Sequence, residues 1–235
     1  MNPAAAATPA FTLLGLTGGV GMGKSAAADL LGRTGLPVVD TDLLARELVL
    51  PGQPALEEIR RSFGAGVIGQ DGHLRRDALA RIVFAEDDRR RQLEEILHPR
   101  IRAGWHAQAQ AWKVAATGLA GTPVTIRAGV VVIPLLFETA AQSEFAATIC
   151  VACSAESQAE RLSGRGWSAE DARRRVRAQW PIERKLEQAD FVVWAEGGVE
   201  RTAEQLERIL DLLGCRQASR VPDAADGRPL HPQTR

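Results

Sequence analysis

The sequence predicts an α/β protein built on a doubly wound parallel sheet. Five short runs are apolar throughout rather than alternating between apolar and polar residues, which suits parallel strands covered by helices on both faces. Segments with helical periodicity separate most of these runs, as in a chain that alternates strands and helices. The five runs are residues 11–17, 36–40, 130–134, 148–153 and 191–194.

The composition is that of an ordinary globular chain, and it limits the possible partners. Of 235 residues, 45% are hydrophobic and 25% are charged, proportions that allow one domain to bury a core. The 29 basic residues balance the 29 acidic ones, so no overall field attracts nucleic acid or a membrane surface. No run approaches the length of a membrane span. We therefore expect a cytoplasmic protein, in the simplest case a monomer.

The chain divides into a leader, one domain and a tail. Residues 1–10 lack the basic start and long apolar core of a signal peptide and are expected to be a disordered leader. Residues 11–215 form the domain, and the polar segment 216–235 is expected to be a mobile tail. A helical insertion at about 43–117 separates the second and third strands, because the gap is too long for a normal crossover. Its apolar stripe is expected to be core: Leu93, Ile96, Leu97, Ile101, Trp105 and Trp112.

Two cysteines, Cys150 and Cys153, form a C-x-x-C pattern in the fourth apolar run. Residues three apart on a strand face opposite sides, and the third cysteine, Cys215, has no partner with which to complete a zinc site. We expect packed thiols, with redox or metal chemistry as the alternative.

The stretch "LTGGVGMGKS" (16–25) predicts a phosphate-binding loop. Gly18, Gly23, Lys24 and Ser25 fit the pattern G-x-x-x-x-G-K-[ST], with an apolar run before it and a helical pattern after it. In such a turn the backbone N–H groups and the helix N-terminus offer donors to phosphate oxygens. Lys24 is expected to bridge the β- and γ-phosphates, and the Ser25 hydroxyl to ligate Mg²⁺. The loop indicates a nucleoside triphosphate but not its fate.

The stretch "VVDTDLLAR" places two carboxylates at the end of the second strand. Ligands gather at this edge of an α/β sheet, where a carboxylate can accept the proton of an attacking hydroxyl or hold Mg²⁺. Asp40 or Thr41 could instead only cap the helix that starts here. We expect Asp40 or Thr41 to be the cap and Asp42 to be catalytic.

Residues 154–180 are predicted to form a lid. Arg161 and Arg165 lie on one predicted helix and at its end, where glycines give hinge freedom, and Ser168 with Asp171 resembles a capping box for the next helix. Arginines on a mobile flap can close over a transferring phosphoryl group and exclude water. A solvated charged face is the alternative, above all for the arginine run at 173–177.

Taken in order along the chain, these segments resemble the dephospho-CoA kinase family, which phosphorylates the 3′-hydroxyl of dephospho-CoA in the last step of coenzyme A synthesis. The resemblance extends from about residue 11 to 213. Many families share a phosphate loop, but this ordered set is specific. The matching segments are "LTGGVGMGKS", "VVDTDLLARELVLPG", "FGAGVI", "DGHLRRDALARIVF", "LEEILHPRI", "PLLFE", "QAERLSGR" and "RAQWPIERKLEQAD".

The resemblance implies a five-stranded P-loop NTPase core, a helical CoA-binding insertion and a lid. It also implies in-line transfer from Mg-ATP to dephospho-CoA, with the lid arginines neutralising charge. The residues of the implied ATP loop are Gly19, Gly21, Met22, Gly23, Lys24, Ser25 and Ala26. The residues implied on the acceptor side are Asp42, Arg76, His98, Leu135, Glu138 and Lys185. For His98 a local hydrogen bond, and for Leu135 a place in the core, remain alternatives.

Three positions depart from the family pattern. Ala26 stands where Thr is usual, and Val132 stands where many members have Asp, which leaves Mg²⁺ without a carboxylate on that strand. The turn "WAEGG" (194–198) replaces an Asp-Asn-containing turn, so the adenine contacts are not implied.

Two other functions are compatible with the loop. One is a kinase of another small acceptor, such as a nucleoside monophosphate. The other is an ATP-dependent switch module; the usual GTP switch is excluded because its N-K-x-D motif needs an asparagine, and the chain has only Asn2.

Overall fold

The fold centres on a five-stranded parallel sheet. The structure is a computed structural model that describes residues 11–117 and 127–215; the predicted leader and tail lie outside these ranges. The strands run parallel in the order β2-β3-β1-β4-β5, so β1 is central and its carboxyl end lies between those of β3 and β4. The strands are β1 Thr12–Gly18, β2 Val38–Asp40, β3 Ala128–Val132, β4 Ala147–Ala152 and β5 Phe191–Trp194.

Helices connect the strands and fill the predicted insertion. From the end of β2 to residue 117 the structure contains four of them, and two more occupy the predicted lid segment. The predicted α/β architecture is therefore confirmed. The helices are α1 Lys24–Arg33, α2 Thr41–Glu47, α3 Pro54–Phe63, α4 Arg76–Ala85, α5 Asp87–Thr117, α6 Ala155–Gly164, α7 Ala169–Arg177, α8 Ile182–Gln188 and α9 Val199–Leu212.

Both faces of the sheet are buried, which explains why its strands are apolar throughout. Leu14 and Val130 belong to a core that includes residues of α1 and α9. Leu13 and Val131 point to the opposite face, where they share a core with Trp105 of α5. Successive strand residues face opposite sides, so the three inner strands β1, β3 and β4 are buried at nearly every position, whereas the edge strand β5 exposes Val192 and Trp194.

The helical insertion has a core of its own, and α5 joins it to the sheet. Ile59 of α3, Leu79 of α4 and Ile96 of α5 are buried together. Farther along α5, Trp105 packs against the sheet. The predicted stripe is therefore core over its whole length but serves two cores, and α5 continues through Pro99 without ending there.

The cysteines are packed thiols. Cys150, Cys153 and Cys215 are buried and unpaired, and burial raises the pKa of Cys150 to about 11. A thiol with so high a pKa stays protonated near neutral pH and is a poor nucleophile.

None of the helices within residues 11–117 and 127–215 is both long enough and apolar enough to cross a bilayer.

Replacing Leu14 by Ala should lower the free energy of unfolding by about 2–5 kcal/mol, because the truncation leaves a cavity in a close-packed core. Equilibrium denaturation in urea measures the change. Leu212→Ala is the matched control, since Leu212 is 77% exposed at the end of α9. Its cost should stay below about 0.5 kcal/mol. Equal costs for the two variants would contradict the assigned core.

Candidate active site

The loop between β1 and α1 is a tight turn that only glycine can form at several positions. Gly21 and Gly23 have φ values of 77° and 99°, in the left-handed region that favours glycine. At Gly18, φ is 144° and a Cβ atom would lie 2.1 Å from the carbonyl oxygen of Val151. The loop backbone therefore lies directly against β4, and it leads into the N-terminus of α1 at Lys24. This geometry suits an anion.

Lys24 is folded back over its own loop. Its Nζ donates to the carbonyl oxygens of Gly18, at 2.7 Å, and Gly19, at 2.9 Å. Burial, and then the positive charge of Lys185, lower the pKa of Lys24 to about 8. The ammonium group is thus held without a direct carboxylate partner, and an arriving anion would stabilise its charge. Ser25, the next residue, is exposed on the first turn of α1.

The end of β2 separates the roles of its two carboxylates. The Asp40 side chain accepts a hydrogen bond from the backbone N–H of Asp42 at 2.8 Å, so Asp40 is the N-cap of α2, one of the two residues predicted for that role. Thr41 Oγ1 instead donates to the carbonyl oxygen of Val132 at 2.9 Å and ties β2 to β3. Asp42 is left without a capping task. Burial, and then the Asp40 carboxylate, raise the pKa of Asp42, while Lys24 opposes the shift.

A cavity of about 440 Å³ opens beside Asp42. It brings together three of the residues predicted on the acceptor side, Asp42, His98 and Leu135, from three segments far apart in the sequence. Its walls are largely apolar, as is usual in small-molecule sites. The lining residues are Thr41, Asp42, Ala45, His98, Pro99, Ile101, Arg102, Trp105, Ile133, Pro134, Leu135, Thr139, Ala141 and Glu144.

The sequence analysis missed two charged residues of this cavity, Arg102 and Glu144, and the neighbouring His106. Arg102 and His106, one turn apart on α5, each contact a different carboxylate oxygen of Glu144, at 2.7 and 2.6 Å. The ring of His106 also stacks on Trp105, with centroids 3.9 Å apart. The i,i+4 spacing of the two basic residues is a visible signal. Nothing in the sequence identifies Glu144 as their partner, because it belongs to a distant segment.

Glu138 and Lys185 lie behind the cavity wall rather than in it. Lys185 is completely buried, and its Nζ donates to the carbonyl oxygen of Pro134 at 2.7 Å and pairs with Glu138 Oε1 at 2.8 Å. Pro134 itself lines the cavity. In this structure, then, the two residues support the wall through a buried ion pair. Their predicted substrate contacts would require a rearrangement.

The other predicted cations are distributed unevenly. Arg161 Nη2 donates to the carbonyl oxygen of Ala195 at 2.6 Å, while its Nη1 is buried without a hydrogen-bond partner. That Nη1 lies 3.5 Å from the position of a Cβ atom built on Gly23, so it faces the phosphate loop. Arg165 is exposed at the end of α6, and Arg76 is exposed at the start of α4 and does not line the cavity.

The unusual turn after β5 organises α6, the first helix of the predicted lid segment. Glu196 Oε1 accepts a hydrogen bond from Ser154 N at 2.6 Å, and its Oε2 accepts one from Ser157 Oγ at 2.8 Å. Hydrogen bonds from Ser154 and Ser157 lower the pKa of Glu196, so the carboxylate is ionised. It thereby fixes the N-terminus of α6, on which Arg161 is carried. The predicted capping of α7 by Ser168 is also confirmed, since Ser168 Oγ accepts a hydrogen bond from the backbone N–H of Asp171.

Replacing Gly18 by Ala should weaken nucleotide binding about tenfold or more. The methyl group would overlap the Val151 carbonyl, and strain of this kind costs about 1–3 kcal/mol. Calorimetric titration with nucleotide measures the effect. Gly66→Ala is the control, because a Cβ there meets nothing within 4 Å. If Gly18→Ala bound nucleotide like Gly66→Ala, the loop would not be the phosphate site.

Comparisons with known proteins agree with this geometry. The family model for dephospho-CoA kinase matches residues 12–201. The dephospho-CoA kinase of Anaeromyxobacter dehalogenans is 42% identical over 214 residues, which cover 90% of this chain and 97% of that protein. The corresponding protein of Chromobacterium violaceum is 41% identical over 84% of this chain and 92% of its own length.

Solved structures show the same fold. A Thermus thermophilus protein, 34% identical, superposes with a TM-score of 0.71 and covers 86% of this chain and 98% of its own. The dephospho-CoA kinase of Campylobacter jejuni, 24% identical, gives a TM-score of 0.62 over 86% of this chain and 96% of its own. From the extent of the family match and the identity of these relatives, the chain belongs to the dephospho-CoA kinase family.

Proposed function

We propose that the protein transfers the γ-phosphoryl group of ATP to the ribose 3′-hydroxyl of dephospho-CoA, giving coenzyme A and ADP. The observation that carries the proposal is the position of Asp42. Its carboxylate lines the 440 Å³ cavity and is close enough to Lys24, at the phosphate loop, for each to shift the pKa of the other. A phosphate donor and an alcohol acceptor would therefore meet beside it.

On the donor side, the loop offers backbone donors and the cation of Lys24, and Arg161 of α6 adds a second cation beside it. The amides of Gly21 and of residues 23–25, at the N-terminus of α1, would hold the phosphates, while the Met22 N–H donates to the carbonyl oxygen of Gly19 at 3.2 Å. Lys24 would exchange its contacts with two loop carbonyls for contacts with phosphate oxygens. The unpaired Nη1 of Arg161 faces the same loop and would neutralise charge on the transferring group.

On the acceptor side, Asp42 would orient the hydroxyl and accept its proton. The apolar wall, with Trp105 and Ile101, offers a surface for the organic body of the acceptor. Arg102 would have to exchange its pairing with Glu144 for a contact with the acceptor's pyrophosphate. In phosphoryl transfer, positioning and charge stabilisation supply nearly all of the acceleration. The site is arranged to provide both.

The residues at the loop also fit Mg²⁺. The Ser25 hydroxyl, with Asp40 and Asp42 near Lys24, provides hard oxygen donors, whereas Val132 provides none. Within residues 11–117 and 127–215, no three His, Cys, Asp or Glu side chains are grouped as metal ligands. Magnesium usually binds through one or two protein oxygens, substrate phosphates and water, so this sparse set is suitable. When bound, the ion would offset the charge of the phosphates.

The direct experiment is to incubate the pure protein with Mg-ATP and one acceptor at a time: dephospho-CoA, AMP or shikimate. Mass spectrometry then detects an added phosphate. We expect it on dephospho-CoA. Phosphorylation of AMP or shikimate alone would assign a different kinase, and ATP hydrolysis without any acceptor product would assign a switch module.

Replacing Asp42 by Asn should lower kcat by about 10²–10⁴-fold, because the amide cannot accept the hydroxyl proton. The dissociation constant of ATP should change little, since the loop supplies the donor contacts. Steady-state kinetics and calorimetry measure the two quantities. Asp29→Asn, on the exposed side of α1, is the control and should retain full activity. Near-normal turnover by the Asp42 variant would show that the assigned role is wrong.

The pKa of Lys24, about 8, predicts that nucleotide binding takes up protons. Phosphate oxygens favour the charged ammonium and so raise this pKa in the complex. At pH 8 about half a proton should be bound per Mg-ATP, close to one at pH 9.5 and almost none at pH 6.5. Affinity should fall correspondingly as the pH rises through 8.

Calorimetric titrations in buffers of different ionisation enthalpy measure the number of protons. The exposed Lys113 gives a control, since Lys113→Gln should keep the uptake. Absence of uptake in the wild-type protein at pH 8–9.5 would contradict the combination of a lowered pKa of Lys24 in the free protein and a phosphate contact that raises it.

A further inference from the structure

One residue of the phosphate loop, Val20, is held on both sides of its backbone by the lid segment. Its N–H donates to Gln179 Oε1 at 3.0 Å. Its carbonyl oxygen accepts from Gln158 Nε2 at 2.7 Å. The backbone atoms fix which end of each amide must face the loop, because an N–H needs an oxygen and a carbonyl needs a donor.

The two glutamines stand at opposite ends of the lid segment. Gln158 lies on α6, near the point where the segment leaves the core, and Gln179 follows α7, near the point where it returns. They are 138 and 159 residues away from Val20 in sequence. Both ends of the predicted lid segment therefore meet at one residue of the phosphate loop, on the two peptide units that flank its Cα atom.

The returning end is rigidly anchored. The backbone N–H of Trp180, next to Gln179, donates to Glu138 Oε1 at 2.9 Å. Glu138 is in turn paired with Lys185, which is completely buried and bonded to Pro134. The backbone from which Gln179 reaches the loop is thus held in place by these contacts, so the hydrogen bond of Gln179 can set the position of Val20.

We propose that Gln158 and Gln179 are positioning residues that hold the phosphate loop in its binding shape. The inference rests on the proposed use of a nucleotide donor. Because the N–H groups of Val20 and Met22 already donate to Gln179 and to the carbonyl oxygen of Gly19, the phosphates are received by the amides of Gly21 and of residues 23–25. Without the glutamines, the two peptide units on either side of Val20 can rotate, and the following amides lose their common direction.

The test compares Gln158→Met and Gln179→Met with Gln188→Met. Methionine keeps the length of the side chain but makes neither hydrogen bond, and Gln188 is an exposed residue at the end of α8. Calorimetry with a non-hydrolysable ATP analogue should show about three- to ten-fold weaker binding for each of the first two variants and no change for the third. The KM for dephospho-CoA should stay within about twofold, and thermal unfolding should match the control.

Hydrogen exchange in the nucleotide-free wild-type protein provides a second measurement that needs no variant. The Val20 amide should be protected, and Gln179→Met should remove the protection. The inference is overturned if either methionine variant binds the analogue like the wild type, or if the wild-type amide exchanges at the rate of a free peptide. Failure of the wild type to phosphorylate dephospho-CoA would overturn the proposed reaction alone, since these two readouts do not depend on catalysis.

Discussion

The contact between Gly18 and the carbonyl of Val151 determines where the loop can lie. With no Cβ in the way, the end of β1 approaches β4 closely, and the chain then turns through Gly21 and Gly23 into α1. From this position the loop meets Arg161 and the two lid glutamines. A side chain at Gly18 would push the loop away from all of these partners, so the donor site depends on this one close approach.

Electrostatics at the site consist of a few opposed charges rather than a broad field. Lys24 has lost hydration by burial and lies near a second cation, Lys185, whose own charge is matched by Glu138. Asp42 is disfavoured as an anion by burial and by Asp40, and favoured by Lys24. A bound triphosphate would stabilise the charged form of Lys24, which burial and Lys185 disfavour. A chain of no net charge can therefore bind a highly charged ligand through a few local charges.

The sequence predicted features that depend on local order and missed those that depend on the meeting of distant segments. The strands, the glycine loop and the cap at Asp40 follow from short patterns, and the structure contains all three. Glu144 meets Arg102 only because the segment after β3 packs on α5, a contact that no spacing records. Lys185 matched a family pattern, but periodicity does not reveal that its charge is buried against Glu138. A match to a family pattern does not specify what a side chain contacts.

The central claim is that Asp42 faces both the phosphate loop and the acceptor. A crystal structure with dephospho-CoA and a non-hydrolysable ATP analogue tests it most directly. The account predicts that the 3′-oxygen lies about 2.6–3.2 Å from an Asp42 carboxylate oxygen, in line with a γ-phosphate held by the loop amides. A 3′-hydroxyl bonded to another side chain, with Asp42 turned to solvent, would contradict it.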